Sequence, residues 1–210
     1  TIERRQQTNA AAVTTIEQAR QSLTRLRTDE ARIDLLTRLA ASAVKLNNLA
    51  FAKQLAAEAH AFANRRAESY DQLDAQLKVA HTYTELDPAQ GFELLETGIE
   101  RLNELLPAAA LLEGFEVRLF KEGELPLANG GRLGQMITRI GQELSLLAAK
   151  DFERAQTAAD KFQRTEPRAA TRLAVVQGVL GKPATDATPT GFNPNMGFGP
   201  RGGGFPARRP

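Results

Sequence analysis

The chain has 210 residues, of which 42% are hydrophobic, with no Trp and no Cys, and its formal net charge is +2. The lack of Cys excludes a disulfide framework and thiolate chemistry, and it leaves the redox compartment undecided. No apolar run approaches the roughly 18 residues that a membrane-spanning helix needs.

The charge is spread unevenly along the chain. Residues 181–210 hold four basic residues against Asp186 alone, a balance of +3, so residues 1–180 together carry about −1. The basic character therefore belongs to the C-terminal tail and says little about the folded part. Ala and Leu dominate the hydrophobic residues, and because both are strong helix formers they predict an all-α fold.

The first part of the chain predicts a helix followed by a helical hairpin. The chain begins with Thr in polar sequence, from which we expect that an upstream segment such as a signal peptide is missing. A cytoplasmic and a periplasmic or secreted location both stay open. Residues 1–27 have apolar residues at helical spacing, and Thr28-Asp29 restarts the chain. Residues 29–63 then predict two helices that Asn47-Asn48 separates.

Residues 69–106 predict a second hairpin, in which the pattern is clearest. Ser69 is predicted to cap the first helix, with Gln72 completing a capping box. Asp87-Pro88 starts the second helix as a cap followed by Pro at the first helical position, and Pro107 is its expected end. The apolar residues of the first helix are predicted to share one face: Leu73, Leu77, Ala80 and Tyr83.

The hairpins repeat at regular intervals. Asn48, Asp87 and Asp151 are equivalent starts of second helices, separated by 39 and 64 residues. An insertion of 25 residues over 107–131 accounts for the longer interval. The residues four, eight and eleven positions after each start are small or apolar: Ala52, Ala56, Ala59, Gly91, Leu95, Gly98, Ala155, Ala159 and Phe162.

These positions resemble a degenerate form of the tetratricopeptide repeat (TPR), whose second helix has small residues at comparable places. The residues that resemble the family motif are Ala80-x-x-Tyr83, Asp151, Ala155, Ala159 and Pro167. The resemblance covers about residues 29–106 and 132–180, and it departs from the family in its period of 39 rather than about 34. The chain is also similar to uncharacterised bacterial helical-repeat proteins. This TPR-like resemblance implies an α-solenoid of stacked antiparallel hairpins with a groove that binds peptides.

The remaining segments complete the predicted architecture. The insertion at 107–131 is predicted to begin helically over 107–113. A short β-hairpin is predicted after Gly114, because Phe115, Val117 and Leu119 alternate with polar residues before the turn at Glu122-Gly123. Residues 181–210 are rich in Gly and Pro without a period and predict a disordered tail. The helical-repeat domain therefore spans 1–180, with these parts: hairpins at 29–63, 69–106 and 132–164, and a capping helix at 166–180.

No residue pattern predicts catalysis, a cofactor or a metal site. His60 and His81 lie on different hairpins without further ligands at metal-binding spacing, and both are interpreted as structural. The turn before the helix at 133 has glycines but lacks the Lys and Ser/Thr of a phosphate-binding loop, so it is interpreted as a helix start. The acidic residues of the insertion are interpreted as a solvated surface: Glu113, Glu116, Glu122 and Glu124.

We therefore expect a non-enzymatic scaffold that binds a protein or peptide on the concave face of a repeat array. Exposed residues of the first helix of two hairpins are expected to line the groove: Arg38, Lys45, Lys78 and Glu85. The alternative is nucleic-acid binding through the tail by phosphate contacts and base stacking. The tail residues that resemble arginine/glycine-rich RNA-binding segments are Arg201, Phe205, Arg208 and Arg209.

Overall fold

The described part of the chain is helical. The computed structural model of the protein describes residues 14–16, 18–112, 120–127 and 131–181. A 3-10 turn at Ser22–Arg25 precedes the α-helices of these ranges: α1 (Asp29–Lys45), α2 (Leu49–Ala63), α3 (Tyr70–Leu86), α4 (Pro88–Leu112), α5 (Gly131–Ala148), α6 (Phe152–Asp160) and α7 (Thr165–Val179). The all-α prediction is confirmed for these residues, none of whose helices is long and apolar enough to cross a membrane.

Polar side chains fix where most of these helices begin. The side-chain oxygens of Thr28, Asn48, Ser69, Asp87 and Asp151 each accept a hydrogen bond from the backbone N–H three residues later. Such N-caps satisfy backbone donors that have no partner within the helix. The capping box predicted at Ser69 differs in one detail, because the Gln72 side chain accepts from the N–H of Glu68 and not from that of Ser69.

Helix α3 lies between two apolar clusters. Its Leu73, Leu77 and Ala80 pack into a C-terminal cluster with residues of α4, α5, α6 and α7. Its opposite face packs into an N-terminal cluster with α1 and α2: Ala75, Val79, Tyr83 and Leu86. Tyr83 therefore does not share the face of Leu73, Leu77 and Ala80, as the sequence had predicted. The reason is that α3 has helices on two sides and buries two separate stripes.

The helices pack as consecutive pairs. Helix α1 packs on α2, α3 packs on α4, and α5 packs on α6 and α7. Between the pairs, α1 contacts α3 and α3 contacts α5, so these three helices lie side by side in chain order. On the other side, α4 contacts α6. Packed helix pairs of this kind are compatible with a helical-repeat fold.

The three predicted helix starts have the same local structure. Asn48, Asp87 and Asp151 are all N-caps, of α2, α4 and α6 respectively. The residues four, eight and eleven positions after each cap are all buried in the helix interfaces: Ala52, Ala56, Ala59, Gly91, Leu95, Gly98, Ala155, Ala159 and Phe162. All nine positions are therefore buried, after helix starts that the sequence predicted.

Helix α4 does not end at Pro107. It continues through this residue to Leu112, so the helical start predicted for the insertion belongs to α4 itself. A proline inside a helix removes one backbone hydrogen bond and costs about 3 kcal/mol or more. Burial of Leu106, together with packing of Leu105 and Ala109 against the C-terminal cluster, offsets this cost.

Part of the predicted insertion and both ends of the chain lie outside the described residues. Glu122 and Gly123 both have positive φ, at 54° and 84°, as in the type I′ turn of a two-residue hairpin. Lys121 and Glu124 exchange both backbone hydrogen bonds across this turn. The strand predicted over 115–119, residues 1–13 and 17 of the predicted first helix, and tail residues 182–210 lie outside the described residues.

Candidate functional site

The candidate site is a surface groove formed by the exposed faces of α1 and α3, with the edge of α5 at one end. Its volume is about 650 Å³. We call it the α1/α3/α5 groove and define it by its charged residues and its histidine: Asp34, Arg38, Lys45, Lys78, His81, Glu85 and Arg139. Helix α3 thus has three faces, because the two buried stripes leave one side exposed to the groove.

The groove contains all four residues that the sequence predicted for a binding surface. Arg38 and Lys45 lie two turns apart on α1, and Lys78 and Glu85 lie two turns apart on α3. Because α1 packs beside α3, the two stripes face the same concavity. The sequence did not single out Asp34 or Arg139, which line the same groove.

Ion pairs connect the three helices across the groove. Asp34 of α1 accepts from Arg38 at 2.7 Å and from Lys78 of α3 at 2.9 Å. Lys78 also lies 3.3 Å from Asp74, which pairs with Arg139 of α5. These five residues form a continuous chain of alternating charge from α1 to α5. The chain holds the side chains in place, so a ligand meets a partly ordered surface.

Lys78 is the centre of this chain. Partial burial alone would lower the pKa of its ammonium group, but hydrogen bonds and charge attraction from Asp34 and Asp74 outweigh burial and raise the pKa above its ordinary value. Lys78 is therefore charged throughout the physiological pH range. Arg38, at the end of the chain, keeps 76% of its side-chain surface exposed.

His81 makes a further polar contact between α3 and α5. Its Nδ1 lies 3.0 Å from Oε1 and 2.9 Å from Oε2 of Glu143 on α5. The Glu143 side chain is 7% exposed, whereas that of His81 is 54% exposed. Because a carboxylate only accepts, Nδ1 of His81 carries the proton and donates to both oxygens. The contact thus joins a buried carboxylate to an imidazole that faces solvent.

The protonation of His81 depends on the charges around it. The hydrogen bond to Glu143 raises its pKa above the ordinary value, and this effect exceeds that of burial, which lowers the pKa. The negative charges of Glu143 and Glu85 raise the pKa further, and the positive charge of Arg139 lowers it. His81 therefore stays protonated to a higher pH than a free imidazole.

The sequence interpretation did not identify the contact between His81 and Glu143. His81 was interpreted as a partly exposed structural residue, and Glu143 was not singled out. A signal was present, because Glu143 lies on the buried stripe of α5 next to Ile140, Leu144 and Leu147. A carboxylate on an apolar stripe needs a partner. The sequence alone does not show which neighbouring helix provides this partner, or which of its residues.

The other predicted site residues lie away from this groove. His60 is on α2, where its ring makes an edge contact with Tyr83 at 6.0 Å between centroids. Glu122 and Glu124 are exposed at the type I′ turn. The tail residues Arg201, Phe205, Arg208 and Arg209, and also Glu113 and Glu116, lie outside the described residues. Within the described ranges, no group of three or more His, Asp and Glu side chains could hold a metal ion.

A second concavity, of about 450 Å³, lies between α2 and α4 on another side of the molecule. Three of its charged residues are paired with one another: Arg66 lies 2.8 Å and Arg101 2.6 Å from Glu104. The hydrogen bonds from Arg101 and Arg66 lower the pKa of Glu104. Arg65, Glu93 and Glu100 also line this concavity and have no ion-pair partner among the described residues.

No protein-family model, no curated protein and no solved structure matches this chain. The function must therefore be argued from the geometry and charge of the groove itself.

Proposed function

We propose that the protein is a non-enzymatic scaffold that binds a peptide or protein segment in the α1/α3/α5 groove. The observation that supports this most is the meeting of Arg38, Lys45, Lys78 and Glu85, chosen from the sequence alone, in one concavity of about 650 Å³. Three helices side by side, at about 8–10 Å between axes, span about 20 Å. An extended chain covers this distance with about six residues.

The proposal includes a fold of stacked antiparallel hairpins, a TPR-like α-solenoid. In such an array the contacts between neighbouring repeats join residues about one repeat apart. Arg66 and Glu104 are 38 residues apart, close to the 39 between the starts of α2 and α4. Lys161 and Glu96 are 65 residues apart, close to the 64 between the starts of α4 and α6. The agreement supports one repeated unit with an insertion between the second and third copies.

The groove also differs from an ordinary solvated helix face. On an isolated face, long charged side chains sample many rotamers, and fixing each one costs about 0.5–1.5 kcal/mol on binding. Here the chain of ion pairs orders Lys78, Asp34 and Arg139 before any ligand arrives. Arg38 and Lys45 remain exposed at its edge and are available for contacts with a partner.

A peptide-display library of random sequences, selected on the immobilised full-length protein, tests this proposal. The informative variant combines Arg38→Glu and Lys45→Glu, two exposed residues of the groove. The matched control combines Lys53→Glu and Arg65→Glu, which changes the charge equally at exposed positions outside the groove. We expect the wild type and the control to enrich the same peptides and the groove variant to lose them. Enrichment by the groove variant of the same peptides, or no enrichment by the wild type, would contradict the proposal.

The alternative proposal is nucleic-acid binding through the tail. It is favoured by the concentration of Lys182, Arg201, Arg208 and Arg209 in the last 29 residues against Asp186 alone. A full-length variant with Arg201→Gln, Arg208→Gln and Arg209→Gln tests it. If the alternative holds, the wild type retards labelled RNA in a gel at low salt, the retardation decreases as salt rises, and the variant loses it. Absence of retardation at low salt would exclude it.

A further inference from the structure

The α1/α3/α5 groove and its ion-pair chain carry an excess of one positive charge. Their basic residues are Arg38, Lys45, Lys78 and Arg139, and their carboxylates outside the contact with His81 are Asp34, Asp74 and Glu85. Asp34 is already paired with both Arg38 and Lys78. Lys45 has no ion-pair partner among the described residues, and the Arg38 side chain is largely exposed. A ligand that matches this surface is therefore acidic.

The contact between His81 and Glu143 adds a donor whose state depends on protonation. Because Nδ1–H donates to Glu143, the free position of the ring is Nε2, which makes no hydrogen bond to a described residue. In the neutral imidazole Nε2 is an acceptor and would repel a carboxylate, whereas in the imidazolium it is an N–H donor. An acidic ligand at this position therefore binds the charged form of His81 in preference to the neutral form.

The charged groups around His81 come from three helices. On α3 itself they are Asp74, Lys78 and Glu85, and from α5 they are Arg139 and Glu143. From α1 the residues in the same groove are Asp34, Arg38 and Lys45. Asp74 is paired with Arg139, and the buried Glu143 is paired with His81. Protonation of His81 therefore neutralises the buried carboxylate and leaves the groove with one cation in excess.

We infer that the α1/α3/α5 groove takes an acidic peptide segment, one carboxylate of which accepts a hydrogen bond from Nε2–H of His81. This inference rests on the proposed function and names the chemistry of its ligand. It also makes binding dependent on pH, because the ligand stabilises the protonated imidazole. By reciprocity, the bound segment raises the pKa of His81 further.

Fluorescence anisotropy with labelled ten-residue peptides and the full-length protein tests the inference. The probes are poly-glutamate and, for comparison, poly-lysine, at about pH 6 and about pH 9, where the glutamate side chains are ionised throughout. We expect poly-glutamate to bind and poly-lysine not to bind. We expect poly-glutamate to bind about two- to fivefold more tightly at the lower pH, since one partly exposed charge contact is gained.

Three full-length variants assign the effect to the groove. His81→Gln is expected to bind poly-glutamate equally at both pH values, whereas His60→Gln, which changes the other histidine, keeps the pH dependence. The tail variant with Arg201→Gln, Arg208→Gln and Arg209→Gln keeps both the affinity and its pH dependence. Loss of binding in the tail variant, a pH dependence that survives His81→Gln, or no binding of poly-glutamate at either pH would each overturn the inference.

An NMR titration of the wild type provides a readout that does not depend on how a variant folds. Adding poly-glutamate is expected to raise the pKa of His81; an unchanged pKa of His81 would overturn the inference. The peptide-display selection separates the two proposals. Enrichment of sequences without acidic residues, lost in the Arg38/Lys45 variant, would remove this inference and leave the proposed function intact. No enrichment at all would remove both.

Discussion

At the scale of single residues, the contact of His81 with Glu143 links stability to pH. The pKa of His81 is raised in the folded protein above its unfolded value of about 6.5. A group of this kind contributes its full stabilisation below the unfolded pKa and loses it as the pH rises through the folded pKa. The protein should therefore lose part of its stability as the pH rises above about 6.5.

His81→Gln removes this contribution. We expect the free energy of unfolding of the wild type to fall by no more than about 1 kcal/mol through this contact between pH 6 and pH 9, since the half-exposed imidazole is screened by solvent. Urea denaturation at both pH values, followed by circular dichroism, measures the difference. The variant should show a smaller fall than the wild type, and His60→Gln should behave as the wild type. Equal falls in the wild type and His81→Gln would contradict the account.

Glu143→Gln tests the source of the pKa shift. The hydrogen bond from Glu143 is the largest cause of the raised pKa of His81, whereas Glu85 acts only through its charge. We therefore expect Glu143→Gln to lower the pKa of His81 more than Glu85→Gln does. The titration of the His81 ring protons by NMR gives both values. A larger decrease in Glu85→Gln would show that the hydrogen bond is not the main cause.

The sequence predicted one half of the groove and not the other. Arg38, Lys45, Lys78 and Glu85 could be found because charged residues on the exposed face of an amphipathic helix stand out from its pattern. Arg139 and Glu143 could not be assigned to the same site, because they lie on a helix that follows the predicted insertion at 107–131. Packing between hairpins decides which helices lie side by side. The apolar pattern of a single helix does not show which other helices it will contact.

At the scale of helices, replacing glycine by alanine is expected to have opposite effects on stability at two positions. A Cβ at Gly98 in α4 would lie 3.4 Å from Leu77 and 3.6 Å from Ile140, both ordinary contacts with side chains. A Cβ at Gly178 in α7 would clash with the backbone carbonyl of Ser145 on α5. Gly98 therefore tests the intrinsic cost of glycine inside a helix, and Gly178 tests whether two helices approach so closely that only glycine fits.

We expect Gly98→Ala to stabilise the protein by about 0.5–1 kcal/mol, because alanine favours helix and its methyl group fits. Gly178→Ala should destabilise it by about 1–3 kcal/mol, since α7 would have to move away from α5. Urea denaturation of both variants beside the wild type checks the signs. Stabilisation by both substitutions would contradict the close packing of α7 against α5.

The starts of the helices were easier to predict from the sequence than the packing of the helices against one another. Capping residues such as Asn48 and Asp151 act locally, and their sequence signals place the helix starts. Pro107 suggested an end for α4 that the structure does not have. Its helix-breaking effect is offset by the burial of Leu106 in the C-terminal cluster. Tyr83 was assigned to the wrong face of α3 for the same reason: both errors come from tertiary packing that overrides a local pattern.

At the scale of the whole molecule, α3 belongs to both apolar clusters and should couple their unfolding. Leu77 packs towards α4 and α5, and Val79 packs towards α1 and α2. Loss of α3 from one cluster therefore exposes the other. We expect hydrogen exchange, followed by mass spectrometry across a urea titration, to show residues 29–63 and 131–179 opening in one transition. Opening of 29–63 at a clearly lower urea concentration would contradict this coupling.

The most direct test of the account is a map of where a bound segment contacts the protein. Amide chemical shifts of the full-length protein are measured by NMR with and without a peptide enriched in the display selection. If the α1/α3/α5 groove is the binding surface, the largest changes lie in α1, α3 and the region of Arg139 and Glu143 on α5, with small changes in α2, α4 and α6. Changes concentrated on α2 and α4, or in residues 182–210, would contradict it.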